Sequence, residues 1–298
     1  MCRLVGLIRT TEIPLPSWLH LVGGSNSLRK QAETGCVPVG TEPGHTDSWG
    51  IGWFDDKGDV SLIRQTGSAA DSAFFVFASE TASRGSGASG VGETIVAHLR
   101  KASVGGVSSE NAHPHRADYH APGGTGNLNR SYDTLLLAHN GTLKKPLMDV
   151  LRQEVMDAGR EEGKADSDSV LLTGYLASRL AKAEGDTFAA LSNALTELFD
   201  TAKFVAAGVA SGDLTQMYTG VNLLLAHPTG LYALRQFSHS PNYYTLFVRP
   251  LTPDEEGGAT GYLVASEKTD DAPGWKALTP GVLTHFAPDG SVRSATVA

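Results

Sequence analysis

The sequence predicts an α+β fold in which sheets pack with helices. Strand-like runs fill the first half of the chain, helical periodicity is confined to the middle, and strand-like runs return in the last third. Because strands and helices are grouped and do not alternate, we expect helix-covered sheets rather than βαβ units. At 298 residues the chain is long enough for one large domain or two modest ones.

The predicted strands are apolar runs bounded by glycine, proline or polar turn residues. The first group comprises Leu4–Ile8, Gly50–Phe54, Val60–Arg64, Thr94–Leu99 and Leu135–His139. The second group comprises Asn222–Ala226, Leu231–Phe237, Tyr243–Arg249, Gly261–Ser266 and Val282–Phe286. Two glycine-rich stretches, 85–92 and 122–131, predict loops.

Three segments in the middle of the chain have helical periodicity. Leu147, Leu151 and Val155 recur at a spacing of four, which places them on one helix face. A second apolar face runs through residues 170–181, and a third runs through residues 188–199. The pattern therefore predicts three amphipathic helices between the two groups of strands.

The composition argues against several classes of partner. The net charge is −8 and no basic block is longer than a pair, which disfavours nucleic acid and anionic membranes. No glycine-rich phosphate loop follows a strand, and no apolar run approaches the ~20 residues of a membrane span. With two cysteines and no signal-peptide core, we expect a cytoplasmic protein without a disulfide framework.

Cys2 is the first candidate catalytic residue. It directly follows Met1, so removal of the methionine leaves a residue that carries both a thiol and an α-amine. A terminal amine has an ordinary pKa near ~8 and can act as a general base near neutral pH. This is the arrangement of an N-terminal nucleophile, although a cysteine at this position has no significance by itself.

Two polar clusters flank the fourth strand. Arg100 and Ser103 lie in the run His-Leu-Arg-Lys-Ala-Ser, where an arginine at a strand end can present a two-pronged donor to a carboxylate. His113 lies in Asn-Ala-His-Pro-His, where loop histidines make hydrogen bonds more often than metal bonds. Taken alone, the first cluster is better explained by an arginine paired with a surface acid, and the second by local hydrogen bonding.

Two further clusters follow the apolar run that ends at His139. Asn140 and Gly141 form either a hairpin turn or a pair of amide donors aimed at one point, as in an oxyanion hole. Asp166 and Asp168 stand just before a predicted helix, where an acid serves either as an N-cap or as a ligand for a substrate ammonium.

Together these motifs resemble the class II glutamine amidotransferase domain of the N-terminal-nucleophile hydrolases. The resemblance rests on their order in the chain: Met-Cys, His-x-Arg-x-Ala-Ser, Asn-Ala-His-Pro-His, His-Asn-Gly and Asp-Ser-Asp. The segments 47–50 and 264–267 resemble stand-alone members, among them the γ-glutamyl hydrolase of ergothioneine synthesis and uncharacterised bacterial relatives. The resemblance covers nearly the whole chain and implies a single domain, 1–298.

The resemblance implies a four-layer αββα sandwich of two mostly antiparallel sheets. It also implies that Cys2 attacks a γ-glutamyl amide and forms a thioester, with its α-amine as the base. Asn140 and Gly141 would stabilise the oxyanion.

The remaining roles concern the glutamyl group of the substrate. By the resemblance, Arg100 would bind its α-carboxylate and Asp166 its α-ammonium, and Ser103 and His113 would line the pocket. An alignment shifted by two residues would give the ammonium to Asp168, which stands where relatives usually carry Glu.

Three alternatives remain at this stage. The protein could supply ammonia to a separate synthase, or act alone or as a homo-oligomer on a small γ-glutamyl conjugate, in either case without a cofactor. A metal-dependent hydrolase would use the available imidazoles, which are those of His98, His113, His115, His120 and His139. A non-catalytic binding module would keep the fold and lose the activity.

Overall fold

Two β-sheets lie face to face, and helices cover the outer face of each. The computed structural model describes residues 2–10, 17–36, 43–55, 57–84, 94–101, 106–120, 132–209, 212–251 and 260–298. The strands are β1 (Arg3–Arg9), β2 (Ser48–Phe54), β3 (Val60–Thr66), β4 (Thr94–Arg100), β5 (His115–His120), β6 (Tyr132–Leu143), β7 (Tyr218–His227), β8 (Gly230–Leu234), β9 (Phe247–Leu251), β10 (Gly261–Ala265), β11 (Lys276–Ala277), β12 (Val282–Phe286) and β13 (Val292–Thr296). The helices are α1 (Leu28–Thr34), α2 (Ala73–Arg84), α3 (Lys145–Asp157), α4 (Asp168–Leu180) and α5 (Thr187–Ala207).

Both sheets are antiparallel in every strand pairing that the structure describes. The first sheet has the strand order β11-β9-β10-β1-β4-β2-β3, and the second has the order β13-β12-β8-β7-β6-β5. β1 lies near the middle of the first sheet, between β10 and β4, and every residue in it is buried. The strand that follows Cys2 is therefore fixed on both edges and both faces.

Three apolar layers hold the sandwich together. One lies between the sheets, one lies between the first sheet and helices α1 and α2, and one lies between the second sheet and helices α3 to α5. Alternate residues of β1 belong to different layers: Leu4 and Ile8 face the second sheet, whereas Val5 and Leu7 face α1 and α2. The continuous apolar run of β1 follows from this burial on both faces.

The predicted helices are confirmed as α3, α4 and α5. Leu147, Leu151 and Val155 are buried on one face of α3. The Ser167 side chain caps α4 by accepting a hydrogen bond from the Val170 N–H, and Asp186 caps α5 in the same way. None of the described helices is both long and apolar enough to cross a bilayer.

Several elements differ from the sequence-based expectation. The strand predicted at Tyr243 begins only at Phe247, because residues 240–244 form a turn in which Ser240 has a positive φ. Helices α1 and α2 were not predicted, and neither were β5, β11 and β13. The predicted loops at 85–92 and 122–131 both lie outside the described residues.

β6 does not end where the Asn-Gly pair suggested a turn. The strand continues through Asn140 and Gly141 to Leu143, and Asn140 pairs with Asn222 of β7. A register shift between Gly141 and Leu143 marks a β-bulge. The hairpin interpretation is therefore wrong, and both residues lie within a central strand of the second sheet.

Candidate active site

Strand alternation brings the candidate residues of both sheets into the gap between them. Val96 of β4 lies in the layer between the sheets, so His98 and Arg100 share its side of the strand. Ala138 of β6 lies in the same layer, which directs Asn140 toward the first sheet. Cys2 has the parity of Leu4 and faces the same gap.

Cys2 contacts both sheets. Its backbone nitrogen donates a hydrogen bond to Asn140 Oδ1 at 3.2 Å, and its Sγ lies 4.0 Å from the Lys101 carbonyl oxygen. Arg3 pairs with Leu99 in the β1–β4 register, which sets Cys2 beside Arg100. The structure thus places Cys2, Arg100 and Asn140 together at one end of the gap.

Burial raises the pKa of the Cys2 thiol above its ordinary value. The positive chain terminus, the Lys101 backbone, and the guanidinium groups of Arg100 and Arg3 act in the opposite direction without reversing the shift. The thiol is therefore protonated at neutral pH when no substrate is bound. A nucleophilic role requires a base close to Sγ.

Asn140 has one polar atom engaged and one without a partner. The side chain is 1% exposed, and its Oδ1 accepts from Cys2. Among the described residues its Nδ2 group finds no hydrogen-bond acceptor. Buried donors are almost always paired, so an unpaired amide beside a half-buried thiol indicates a place for a ligand oxygen.

Gly141 is required by close packing between β6 and β7. Its φ is 153°, and a Cβ at this position would overlap the carbonyl group of Gly220. Gly220 is itself packed against the ring of Tyr244, which leaves no room for a side chain there either. The two glycines let the backbone beside Asn140 approach its neighbour more closely than any other residue would allow.

Arg100 ends β4 and is 8% exposed. Its Nη1 donates to the Gly106 carbonyl oxygen at 3.0 Å, and its strand partner is Ser48 of β2. A guanidinium at the end of a strand can present a planar, two-pronged donor to a carboxylate. Ser103, the other candidate in this segment, lies outside the described residues.

His113 belongs to a buried cluster of histidines. Its Nδ1 lies 3.1 Å from His98 Nε2 and 3.4 Å from the His139 backbone nitrogen, which can only donate. His113 Nδ1 is thus the acceptor, and the proton of its neutral ring is on Nε2. The His98 ring lies 4.3 Å from that of His113, and the His115 ring lies 4.5 Å from it on another side.

Desolvation lowers the pKa of these rings. The pKa values of His98 and His113 lie well below the ordinary value, and that of His115 falls to about 3. Neighbouring histidines and Arg100 lower them further. The rings are therefore neutral packing groups at physiological pH.

The metal-centre alternative finds no support in this geometry. In the part of the chain that the structure describes, no three side chains of His, Cys, Asp or Glu converge to hold an ion. His120 is exposed at the end of β5, while His139 bonds to Ser169 Oγ and to the Gly220 carbonyl oxygen. The five imidazoles do not share one centre.

The two aspartates before α4 have different surroundings. Asp168 Oδ2 accepts from the Leu143 N–H at 2.8 Å, and Oδ1 accepts from Ser169 Oγ at 3.3 Å. Asp168 thus ties the start of α4 to the end of β6. Asp166 is exposed and makes no hydrogen bond or ion pair with any described residue.

Other residues beside Cys2 were not singled out from the sequence. Tyr243 and Tyr244 lie close enough for mutual electrostatic effects with the thiol, and burial raises the Tyr243 pKa to about 12. No local pattern would have indicated them. Arg3 also contacts Cys2, and here a signal existed, since a charged residue stands directly before the apolar run of a central strand.

The chain resembles solved structures over its full length. Glutamine phosphoribosylpyrophosphate amidotransferase from B. subtilis matches with a TM-score of 0.59 at 16% identity, covering 100% of this chain and 49% of that one. An allosteric regulatory enzyme of purine biosynthesis matches with a TM-score of 0.59 at 17% identity, and the match covers 100% of this chain and 49% of that one. A glutamine aminotransferase class-II domain protein from Silicibacter pomeroyi matches with a TM-score of 0.55 at 16% identity, and the match covers 100% of both chains.

These likenesses confirm the predicted sandwich of antiparallel sheets, and at such identities they concern the fold alone. The chain spans about half the length of the first two structures. No curated protein sequence matches it. The sequence model of the class II glutamine amidotransferases matches residues 33–297. Because that match extends over most of the chain, the protein belongs to the class II glutamine amidotransferases, a family of enzymes.

Proposed function

We propose that the protein hydrolyses a γ-glutamyl amide through a thioester on Cys2. The observation that carries this proposal is the contact between Cys2 and Asn140. Asn140 Oδ1 accepts a hydrogen bond from the Cys2 nitrogen, while the buried Nδ2 group has no partner among the residues that the structure describes. Once Met1 is removed, that nitrogen is an α-amine fixed next to the thiol whose pKa is raised. The amine is then the base that the protonated thiol requires.

The reaction proceeds in two steps. The α-amine accepts the Cys2 proton, and Sγ attacks the amide carbon, whose oxygen receives hydrogen bonds from Asn140 Nδ2 and the Gly141 N–H. Collapse of this adduct transfers the proton to the leaving nitrogen, which departs as ammonia or an amine. Water then attacks the thioester with the amine again as base, and glutamate is released.

The two charges on the glutamyl α-carbon need one cation and one anion. Arg100 supplies a guanidinium beside Cys2 at the end of β4. Asp166 is the better ammonium ligand of the two aspartates, because its carboxylate is exposed and bonds to no described residue, whereas both oxygens of Asp168 accept hydrogen bonds. Such anchoring orients the amide for attack.

Glutamate release from purified protein tests the proposal. With glutamine and a set of γ-glutamyl amines as substrates, Cys2→Ala should abolish release, because the nucleophile is lost. Cys36→Ala is the matched control, since it removes the only other thiol, which is exposed, and should keep full activity. Release by Cys2→Ala at the wild-type rate would exclude Cys2 as nucleophile.

The amino terminus separates the enzyme from a binding module. Intact-mass measurement of the protein purified from cells should show that Met1 is absent. A chain that retains Met1 and releases no glutamate would favour the binding module. The substrate that is turned over fastest would identify the leaving amine, and stimulation of glutamine hydrolysis by a co-purifying synthase would favour ammonia transfer.

A further inference from the structure

Arg3 is a buried cation in a position where an apolar residue would be expected. It begins β1, its side chain is 2% exposed, and the residues after it form the centre of the first sheet. Burying an arginine is costly unless its charge and N–H groups are matched. The groups that pair with the Arg3 guanidinium therefore indicate the role of this residue.

The Arg3 guanidinium joins three segments of the chain. Its Nη1 donates to the Cys2 carbonyl oxygen at 3.3 Å, and its Nη2 donates to the Cys36 carbonyl oxygen. Its Nε forms an ion pair with Glu267 Oε2 at 2.9 Å. The same Glu267 oxygen accepts from the Cys36 N–H at 3.1 Å, so residue 36 is held from both sides.

Glu267 is held rigidly relative to β1. It follows Ser266, whose Oγ accepts from the Leu4 N–H at 2.9 Å and whose N–H donates to the Leu4 carbonyl oxygen at 3.0 Å. The other Glu267 oxygen accepts from Asn26 Nδ2 at 3.3 Å. The carboxylate thus gives the guanidinium a fixed point of attachment.

We propose that Arg3, held by Glu267, is a positioning residue that fixes the Cys2 carbonyl group and thereby aims the thiol and the α-amine at the oxyanion donors. This inference rests on the proposed hydrolysis. A residue at the free end of a chain is usually poorly ordered unless contacts hold it. Cys2 stands directly before β1 and is held by two hydrogen bonds, one from its nitrogen to Asn140 and one from Arg3 to its carbonyl oxygen. Removing the contact with Arg3 leaves the Cys2 backbone held at its nitrogen but no longer at its carbonyl oxygen.

The test compares Arg3→Lys, Arg3→Met and Glu267→Gln with wild type on the best γ-glutamyl substrate. We expect kcat to fall by about 10- to 100-fold, because displacement of a reacting group by 1 Å costs on that order. KM should stay within about threefold, since the substrate ligands are untouched. Arg9→Lys is the matched control, as Arg9 is the buried arginine at the far end of β1, and it should keep wild-type kcat.

The double variant Arg3→Met/Glu267→Gln adds a readout that a merely structural role would not give. If both residues act through one contact, the double variant loses no more than the worse single variant. Circular dichroism at the assay temperature verifies folding, and Glu267→Gln decides the matter if Arg3→Met does not fold. Unchanged kcat in Arg3→Lys and Glu267→Gln, a loss confined to KM, or multiplicative losses would overturn the inference.

Failure of the proposed hydrolysis has a different signature. If the wild-type protein with Met1 removed releases no glutamate from any substrate, both proposals fall. If wild type is active and the variants match it, only the positioning role falls.

Discussion

Asn140 and Asn222 face each other across β6 and β7 but have opposite hydrogen-bonding states. Asn222 is fully engaged: its Nδ2 donates to the Thr245 carbonyl oxygen, and its Oδ1 accepts from the Gln236 N–H. Asn140 binds the Cys2 nitrogen with its oxygen, and its buried Nδ2 group has no partner within the described part of the chain. Asn222 therefore has a structural role, whereas Asn140 is placed to bind a ligand.

This difference predicts that substitution of Asn140 lowers activity, whereas substitution of Asn222 lowers stability. Asn140→Ala should lower kcat by about 100- to 1,000-fold, the usual cost of losing one oxyanion donor. Asn222→Ala should lower the free energy of unfolding by about 1–3 kcal/mol, because two partly buried backbone groups lose their hydrogen-bond partner. Single-turnover glutamate release and urea denaturation measure the two effects. Equal losses of kcat in the two folded variants would contradict the assignment of Asn140.

At the scale of the strand, the bulge at the end of β6 depends on Gly141. Gly141→Ala should destabilise the protein by about 2 kcal/mol or more, because a Cβ there overlaps the Gly220 carbonyl group in addition to straining the backbone. Gly67→Ala is the matched control, since Gly67 has a φ of 94° and no neighbour within 4 Å. Denaturant midpoints compare the two, and equal shifts would show that backbone strain alone matters.

The elements that the sequence predicted are those whose burial follows a simple pattern. β1, β4 and β6 contain apolar runs, α3 and α5 each bury one face, and α4 is buried along most of its length. The helix α2 was missed because it begins with Ala-Phe-Phe-Val-Phe, a run with strong β propensity that tertiary packing overrides.

The site was only partly predictable for a related reason. Local motifs singled out Cys2, Arg100 and Asn140, but their proximity depends on the register between β1 and β4 and on the packing of two sheets. Asn-Gly favours a turn locally, and only its pairing with β7 keeps it in a strand. Arg3 acquires its partner from Glu267, 264 positions further along the chain, which no short pattern reveals.

At the scale of the whole molecule, the buried histidines make stability depend on acidity. His98, His113 and His115 are neutral in the folded protein because desolvation lowers their pKa values, that of His115 to about 3. In the unfolded chain the pKa of each histidine returns to about 6.5, so the ring binds a proton more readily. Stability is thus fully present above that pH and is lost as the pH falls from about 6.5 toward the folded pKa values.

We therefore expect the free energy of unfolding to decrease as the pH is lowered from 7 to 4. Each histidine contributes a slope of at most about 1.4 kcal/mol per pH unit. Urea denaturation across this range measures the slope, and His115→Asn should reduce it. His120→Asn, on the exposed side of the same strand, is the control for the effect of the substitution itself on stability at pH 7. A flat profile in the wild-type protein would contradict the expectation.

The alternation of β1 between two apolar layers also determines which way the thiol faces. A slip of one position along β10 and β4 would exchange Leu4 and Ile8 with Val5 and Leu7, and it would turn Cys2 away from the second sheet. That exchange would be unfavourable, because each apolar layer would have to accommodate side chains that now pack in the other layer. The packing energy of the protein interior is therefore also what orients its reactive sulfur.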